Sequence, residues 1–243
     1  MNKSIFLPGD FCYTTSMMRT SESLTGIAYA KLREDILWCR LLPGSKVRIA
    51  PICDALEVSL GVVREALTRL AAEGLLRSEA QRGFSVPPID MQDLTTLTDA
   101  RIEIESLCLR RAIAAGDVGW ESGIVASFHR LSRVGENVFS DEWVTAHAEF
   151  HAALVDGGKN QWLLRIRSQL YDQSERYRRL SVSLGPVKRD LLEEHRNLMD
   201  AALRRDADEA AECIREHLTL TTTVIIEQDL CDPATVAAAA ERR

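Results

Sequence analysis

Apolar side chains recur at helical spacing through most of the chain beyond residue 90. Residues 91–230 divide into about six such stretches, separated by AAGDVGW, VGENVFSD, VDGGKN, SLGPVK and RRDAD. Before this region lies SVPPID, in which two prolines disfavour helix and Asp90 can cap a new one. The pattern therefore predicts a mainly α fold in two units, residues 23–86 and 91–230, joined by a linker at 87–90.

Residues 23–86 are predicted to form three helices and a hairpin. LTGIAYAKLREDILWCR carries a helical apolar stripe, and the Pro-Gly of LLPG ends it. APICDALEV is a short helix in which Pro51 suits the first position. LRSEAQRGFSV is typical of two extended runs around Arg82 and Gly83. The stripe of the first helix consists of Ile27, Leu32, Ile36 and Leu37.

The third helix, SLGVVREALTRLAAEGLL, has the clearest boundaries of the three. Ser59 can cap its first turn, and Gly74 can end it. Its apolar stripe, which predicts the inward face, consists of Val63, Ala66, Leu67 and Leu70. The predicted outward face consists of Leu60, Gly61, Arg64, Glu65 and Thr68.

This order of helices and hairpin is that of a winged helix-turn-helix domain, whose second helix enters the DNA major groove. Arg64 suits a guanine edge or a phosphate, and Ser59 with the first-turn amides suits a phosphate. Arg82 at the hairpin tip suits a phosphate or the minor groove. The pattern alone also fits a three-helix bundle with a charged, solvated face.

Charge is unevenly distributed along the chain, which has a net charge of −6. Residues 23–86 carry nine Lys and Arg against seven Asp and Glu, whereas residues 91–243 carry 19 against 26. An acidic total does not exclude DNA binding, because a local basic face is what contacts DNA. With 46% apolar residues among 243, the chain can bury a substantial core and is unlike a disordered protein.

Six cysteines are scattered without a close pair, which favours reduced thiols over a disulfide framework. No apolar run approaches the roughly 20 residues of a membrane span. Residues 1–22 contain no signal-peptide core and, like residues 231–243, are predicted to be tails. We therefore expect a cytoplasmic protein with no membrane contact.

Four of the five histidines stand at positions predicted to point inward. His147 and His151 are four residues apart on one helix, among apolar neighbours at helical spacing. His195 and His217 lie eleven residues before and after Asp206, where the last two predicted helices join. In an antiparallel helix pair, both would stand roughly 16 Å from that turn and at the same level.

For any single histidine, a hydrogen-bonded core residue is the simpler interpretation. Four buried imidazoles need four sets of partners, whereas one metal ion satisfies four nitrogens together. Imidazole suits zinc, nickel, copper or iron(II). We therefore expect a divalent metal, zinc first, bound by His147, His151, His195 and His217, and we expect His129 at the surface.

Arg101 lies on a stripe that also faces inward. A buried arginine usually pairs with a carboxylate, and Glu105, Glu149 or a small organic acid can supply one here. The segment LYDQSERYRRL adds three candidates that line either the pocket or a dimer surface: Tyr171, Arg176 and Arg178.

The segments AYAKLREDILWCRLLPGSKV, DALEVSLGVVREALTRLAAEGLL and RGFSV resemble the DNA-binding domain of GntR-type transcription regulators. The family usually has arginine where Leu60 stands and often has proline at Val62. Since that arginine commonly contacts DNA, we expect an operator less centred on guanine than the family norm. The DNA-contact candidates are Ser59, Leu60, Gly61, Arg64, Thr68, Arg82 and Gly83.

The segments DARIEIESLCLRRA, HAEFHAALVDGGKN and LLEEHRNLMDAALRRDADEAAECIREHL resemble the helical effector-binding (FCD) domain of FadR-like GntR regulators. That resemblance implies a metal bound by an aspartate and three histidines. Its histidine positions are those of His151, His195 and His217, and His147 stands where the family usually has aspartate. It also implies that Arg101 binds an acidic effector. The other two residues assigned to this effector site are Glu105 and Asn197.

These observations predict a transcription regulator that binds a palindromic operator as a homodimer and responds to a small carboxylate beside the metal. One alternative is a metal-dependent enzyme in a helical bundle, which lacks an evident general base. Another is a regulator whose metal is purely structural.

Overall fold

The computed structural model describes residues 23–79, 81–134, 140–182 and 189–227. The predicted tails and the predicted helix break at Gly185-Pro186 lie outside these residues. The described elements are α1 (Leu24–Leu37), α2 (Ile49–Leu56), α3 (Leu60–Ala72), β1 (Arg77–Glu79), β2 (Gly83–Ser85), α4 (Met91–Ala115), α5 (Val118–Arg133), α6 (Asp141–Asp156), α7 (Gln161–Val182), α8 (Leu191–Leu203) and α9 (Ala207–Glu227).

The N-terminal domain is built on the packing of α1 against α3. Ser59 caps α3, its Oγ accepting from the Val62 amide, and the predicted inward stripe of α3 is fully buried. The α1 stripe is partly wrong, because Ile27 is 48% exposed and Ala28 is buried instead. One residue turns the helix by about 100°, so the buried row advances in fours from Ala28.

Helix α2 and the hairpin of β1 and β2 complete this domain. Pro51 is the third residue of α2 and not the first, since the helix begins at Ile49. Its missing N–H is still harmless there, because the first-turn amides of a helix have no partner within the helix. The hairpin forms as predicted, with Glu79 opposite Gly83 and Arg77 opposite Ser85.

The described part of the C-terminal region contains six helices, α4 to α9, in agreement with the number of about six expected from the apolar pattern. Asp90 caps α4 by accepting from the amides of Gln92 and Asp93. Helix α4 packs against α6, α7, α8 and α9 and is therefore the centre of the bundle. The predicted mainly α architecture, a winged helix-turn-helix followed by a helical bundle, is confirmed. Within the described part of the chain, no helix combines the length and apolarity needed to cross a bilayer.

Candidate metal centre and DNA-binding face

Four buried histidine side chains meet inside the helical bundle. His147 and His151 come from α6, His195 from α8 and His217 from α9. One ring nitrogen from each lies within 4.8 Å of those of the others. The Nε2 atom of His151 is 3.2 Å from Nε2 of His147 and 3.3 Å from Nε2 of His195. All four side chains are less than a tenth exposed.

The local sequence explains why these rings converge. A spacing of four residues places His147 and His151 on one face of α6, and the centroids of their rings are 4.5 Å apart. The short connection between α8 and α9 brings His195 level with His217, and the centroids of these two rings are 4.8 Å apart. The predicted meeting of the two pairs is confirmed.

Burial keeps the imidazoles neutral. Loss of hydration lowers the pKa of His147 and His151 well below 6.5, and neighbouring imidazoles lower it further. The same two causes lower the pKa of His195 to about 3. Burial also lowers the pKa of His217, although its hydrogen bond with Glu194 acts in the opposite direction. The cluster therefore presents nitrogen lone pairs, which is the form that binds a metal.

The nitrogen spacing tests whether the cluster fits a metal ion. Zinc nitrogens stand about 2.0–2.1 Å from the ion, so two ligands of a tetrahedron lie about 3.3 Å apart. The two Nε2 separations from His151, 3.2 and 3.3 Å, match that value. Together with four imidazole donors whose ring nitrogens lie within 4.8 Å of one another, these two separations fit a zinc ion.

Partners outside the cluster help to orient its rings. Nδ1 of His217 lies 2.8 Å from Oε2 of Glu194, which also forms an ion pair with Arg189. Partial burial raises the pKa of Glu194, but the hydrogen bonds from His217 and Arg189 outweigh it and lower the pKa to about 2. A carboxylate here holds the Nδ1–H tautomer of His217 and leaves its Nε2 lone pair for a metal. The ring of His147 stacks on Trp143.

Glu194 was not predicted from the sequence. It directly precedes His195 in the chain, so equal distance from the turn between α8 and α9 also places it near the level of His217. The direction in which its side chain points depends on the rotation of α8 against α9, which residue spacing does not give.

A cavity of about 30 Å³ lies beside the histidines, enough for one or two water-sized groups. Arg101 enters it and is 9% exposed; its Nη1 donates to Ser174 Oγ at 2.6 Å, and its Nη2 lies 3.3 Å from Glu105 Oε1. Among the described residues, no atom accepts a hydrogen bond from its buried Nε. The polar and charged residues lining the cavity are Thr98, Arg101, His147, His151, Tyr171, Ser174, Glu175, Arg178, His217, Thr221 and Thr222.

Two of the predicted effector residues do not line this cavity. Glu105 is buried and pairs with both Arg101 and Arg167, so it holds Arg101 in place. Asn197 is exposed on α8, because two residues beyond His195 a side chain points to the opposite side of the helix. Glu149 is not the partner of Arg101, since it pairs with Arg130.

Tyr171, Arg176 and Arg178, the candidates for either the pocket or a dimer surface, have different positions in the structure. Tyr171 and Arg178 line the cavity, and the Tyr171 hydroxyl lies 3.5 Å from Nδ1 of His147. Arg176 lies elsewhere: its Nη1 donates to the carbonyl oxygen of Pro87 in the linker. His129 is exposed on α5, as expected.

The DNA-contact candidates form an exposed face on α3 and the hairpin. Leu60 is 54% exposed, and the neighbouring Gly61, Arg64 and Thr68 are also exposed. The Thr68 hydroxyl donates to the carbonyl oxygen of Arg64 one turn earlier. Arg82, with a side chain 76% exposed, stands at the hairpin tip beside Gly83, whose positive φ of 86° favours glycine. Ser59, the N-cap of α3, is exposed as well.

Comparison with known proteins agrees with this architecture. Residues 24–86 match the family described as bacterial regulatory proteins, gntR family, and residues 96–220 match the FCD domain. The chain is 39% identical over 209 residues to the uncharacterized HTH-type transcriptional regulator BphR of Paraburkholderia xenovorans, covering 84% of this chain and 85% of that protein.

A second relative and a solved structure extend the comparison. The HTH-type transcriptional repressor GlaR of Escherichia coli is 35% identical over 217 residues, covering 86% of this chain and 97% of that protein. The E. coli McbR/YncC structure shares the fold, with a TM-score of 0.73 at 20% identity, covering 85% of this chain and 98% of that one. The chain belongs to the GntR family of bacterial transcription regulators and carries an FCD domain after its helix-turn-helix domain.

Proposed function

We propose that this regulator contains a divalent metal and responds to a small carboxylate that binds beside it. The observation that carries the proposal is the convergence of His147, His151, His195 and His217 next to a cavity that Arg101 enters. In this proposal, the protein binds a palindromic operator as a homodimer. The carboxylate favours one arrangement of the two DNA-binding domains, so acid and DNA affinities are linked.

The proposed metal is zinc, with nickel, copper and iron as alternatives. Four imidazoles form a softer ligand set than one containing a carboxylate, and they favour these ions over manganese or magnesium. The ion would supply a positive centre that attracts a carboxylate. Because the four imidazole ligands are neutral, the metal centre would keep the full charge of +2 of a divalent ion.

Arginine side chains supply the other attraction for an acid. Arg101 brings a buried guanidinium whose Nε lacks an acceptor among the described residues, and Arg178 lines the same cavity. Guanidinium groups bind carboxylates through paired N–H donors. The small volume of the cavity favours a compact acid, or the carboxylate end of a longer one.

We propose a sensor and not an enzyme. Glu175 is the one carboxylate among the described residues that line the cavity. Its pKa is about 2, because ion pairs with Arg178 and Arg179 outweigh burial. A carboxylate with so low a pKa is a weak general base at neutral pH.

A thermal-shift series distinguishes the sensor from its alternatives. The melting temperature is expected to rise with zinc and to rise again when hydroxy acids, sugar acids or amino acids of suitable size are added. A structural metal site would respond to zinc and to no acid.

Selecting operators from random DNA duplexes, with and without the active acid, tests the proposed operator. We expect a palindromic sequence with less guanine at the position that faces Leu60.

Glu194→Gln is expected to weaken zinc binding by about 10–100-fold, since partners of metal-bound histidines contribute on this scale. The amide no longer favours the Nδ1–H tautomer of His217 by its charge. Competitive titration against a chromophoric chelator measures the effect. Glu193→Gln, at an exposed position of the same helix turn, is the matched control. Equal zinc affinity in the two variants would refute the role assigned to Glu194.

The metal-free protein is expected to lose stability as the pH falls below about 6.5. Folding lowers the pKa of the four clustered histidines, so in this range the unfolded chain binds protons that the folded chain does not. The free energy of unfolding is therefore highest above the unfolded pKa and decreases towards acid. Urea denaturation with a chelator, at about pH 7.5 and about pH 5.5, measures it. An unchanged midpoint would be inconsistent with neutral buried imidazoles.

His147→Asp is expected to weaken acid binding and to improve the binding of manganese and magnesium. The new carboxylate cancels one positive charge of the metal centre and offers an oxygen ligand, which these ions prefer. Metal titrations and acid titrations on the zinc-loaded variant measure the two effects. His129→Asp adds the same charge at an exposed site and serves as the control. Unchanged metal preference and acid affinity would contradict the expectation.

A further inference from the structure

Helix α7 has two neighbouring faces that contact different parts of the protein. One face lines the cavity through Tyr171, Ser174 and Arg178, at spacings of three and four residues. On the adjacent face, Asp172 forms an ion pair with Arg33 of α1 at 2.5 Å. A helix is stiff over so short a length, so a shift of one face moves the other.

A hydrogen bond continues this contact to the helix predicted to read DNA. Nε2 of Gln173 donates to the carbonyl oxygen of Glu73 at 2.9 Å. Glu73 is the C-cap of α3, and its carboxylate accepts from Tyr29 at 2.6 Å and from Arg69 at 3.2 Å. Gln173 therefore bonds to the C-terminal end of the helix whose first turns carry Arg64.

The backbone at this contact is adapted to a close approach. Gly74 has a φ of +78°, a conformation that side chains other than hydrogen disfavour. A Cβ atom at this position would lie 3.1 Å from Nε2 of Gln173. Glycine thus both ends α3 and leaves room for the glutamine amide.

The cavity side of α7 is tied to the candidate ligands of the metal and acid. The Tyr171 hydroxyl lies 3.5 Å from Nδ1 of His147, and Ser174 Oγ accepts from Arg101 at 2.6 Å. Gln173 directly precedes Ser174 in the chain. Fixing His147 or Arg101 therefore restrains the turn of α7 that holds the end of α3.

We propose that Gln173 is a positioning residue that transmits the state of the histidine cluster to the C-terminal end of α3. This inference rests on the proposed function, because it requires the cluster to bind a metal. In the metal-loaded protein, α7 is held more firmly, and Gln173 restrains the α3 cap. Without Gln173, metal still binds but α3 no longer responds.

The test is amide hydrogen exchange of residues 70–76 in the full-length protein, with and without zinc chloride. The variant is Gln173→Met, which keeps the length of the side chain and removes the donor. Gln169→Met makes the same change one turn earlier, at an exposed position, and is the matched control. Zinc affinity is titrated separately for each protein. Gln173→Glu is the second variant if the methionine variant folds poorly. Its carboxylate is polar but cannot donate to the Glu73 carbonyl oxygen, and its negative charge repels that oxygen.

The wild type and Gln169→Met are expected to exchange these amides about fivefold more slowly with zinc, an effect within the usual range of coupling between sites. Gln173→Met should bind zinc with wild-type affinity and show little of this slowing. A zinc response in Gln173→Met equal to that of the wild type would overturn the inference. So would a wild type that binds zinc without slower exchange at residues 70–76. A wild type that does not bind zinc would overturn the proposed function, and the inference with it.

Discussion

Replacing His151 with alanine is expected to lower zinc affinity by more than about 100-fold. This loss is larger than the loss of about 10–100-fold expected when only a hydrogen-bond partner of a metal-bound histidine is removed. His151 has the central position in the cluster, because its Nε2 lies 3.2 Å from Nε2 of His147 and 3.3 Å from Nε2 of His195. The alanine variant lacks the nitrogen that lies close to both of these atoms and keeps three candidate ligands. The zinc-dependent rise in melting temperature should disappear along with the affinity.

Competitive chelator titration of His151→Ala and of His129→Ala measures this loss. His129 is an exposed histidine on α5, so its replacement controls for adventitious binding to imidazole. His151→Ala also removes a side chain that is 2% exposed, and some loss of metal-free stability is expected. Folding is therefore checked by circular dichroism before titration. Zinc affinity in His151→Ala equal to that of the wild type would show that the cluster does not bind metal.

Arg64→Ala is expected to reduce operator affinity by at least about tenfold, since one arginine–guanine contact contributes about 1–3 kcal/mol and the proposed homodimer would lose two. Arg64 is exposed in the second turn of α3, where residues of a recognition helix reach base edges. Within the described part of the chain, no carboxylate forms an ion pair with it. Its removal therefore costs the domain little stability.

Fluorescence anisotropy with an operator selected by the wild-type protein measures the effect at several salt concentrations. Arg133→Ala, which removes an exposed arginine at the end of α5, is the matched control for charge. If Arg64 binds a base, specificity at one position relaxes; if it binds a phosphate, affinity falls for all sequences and the salt slope decreases. Operator binding unaffected by Arg64→Ala would exclude this face of α3 as the DNA contact.

Periodicity and capping signals were enough to predict most of the fold. Ser59 and Asp90 cap helices where their positions suggested, because these caps depend on a few neighbouring residues. The histidine cluster was also predictable, since it follows from a spacing of four in α6 and from equal distances to the turn between α8 and α9. Both features depend on short stretches of chain or on simple helix geometry.

The failures concern contacts that depend on how helices rotate against each other. Asn197 is predicted in the effector site, but its side chain on α8 is exposed to solvent. Glu105 is predicted there too, yet its carboxylate accepts a hydrogen bond from Arg167, 62 residues away in the chain. The bond from Gln173 to the end of α3 joins residues 100 apart, and no local pattern indicates it. Packing angles between helices decide these contacts, and residue spacing does not contain them.

X-ray absorption spectroscopy at the zinc edge, on the zinc-loaded full-length protein without added acid, shows whether the histidine cluster binds the metal. We expect one zinc ion per chain with four imidazole nitrogens at about 2.0–2.1 Å. In His151→Ala this first shell should be lost. A spectrum dominated by sulfur, or one fitted by fewer than three imidazoles, would contradict the assignment of the metal to this cluster.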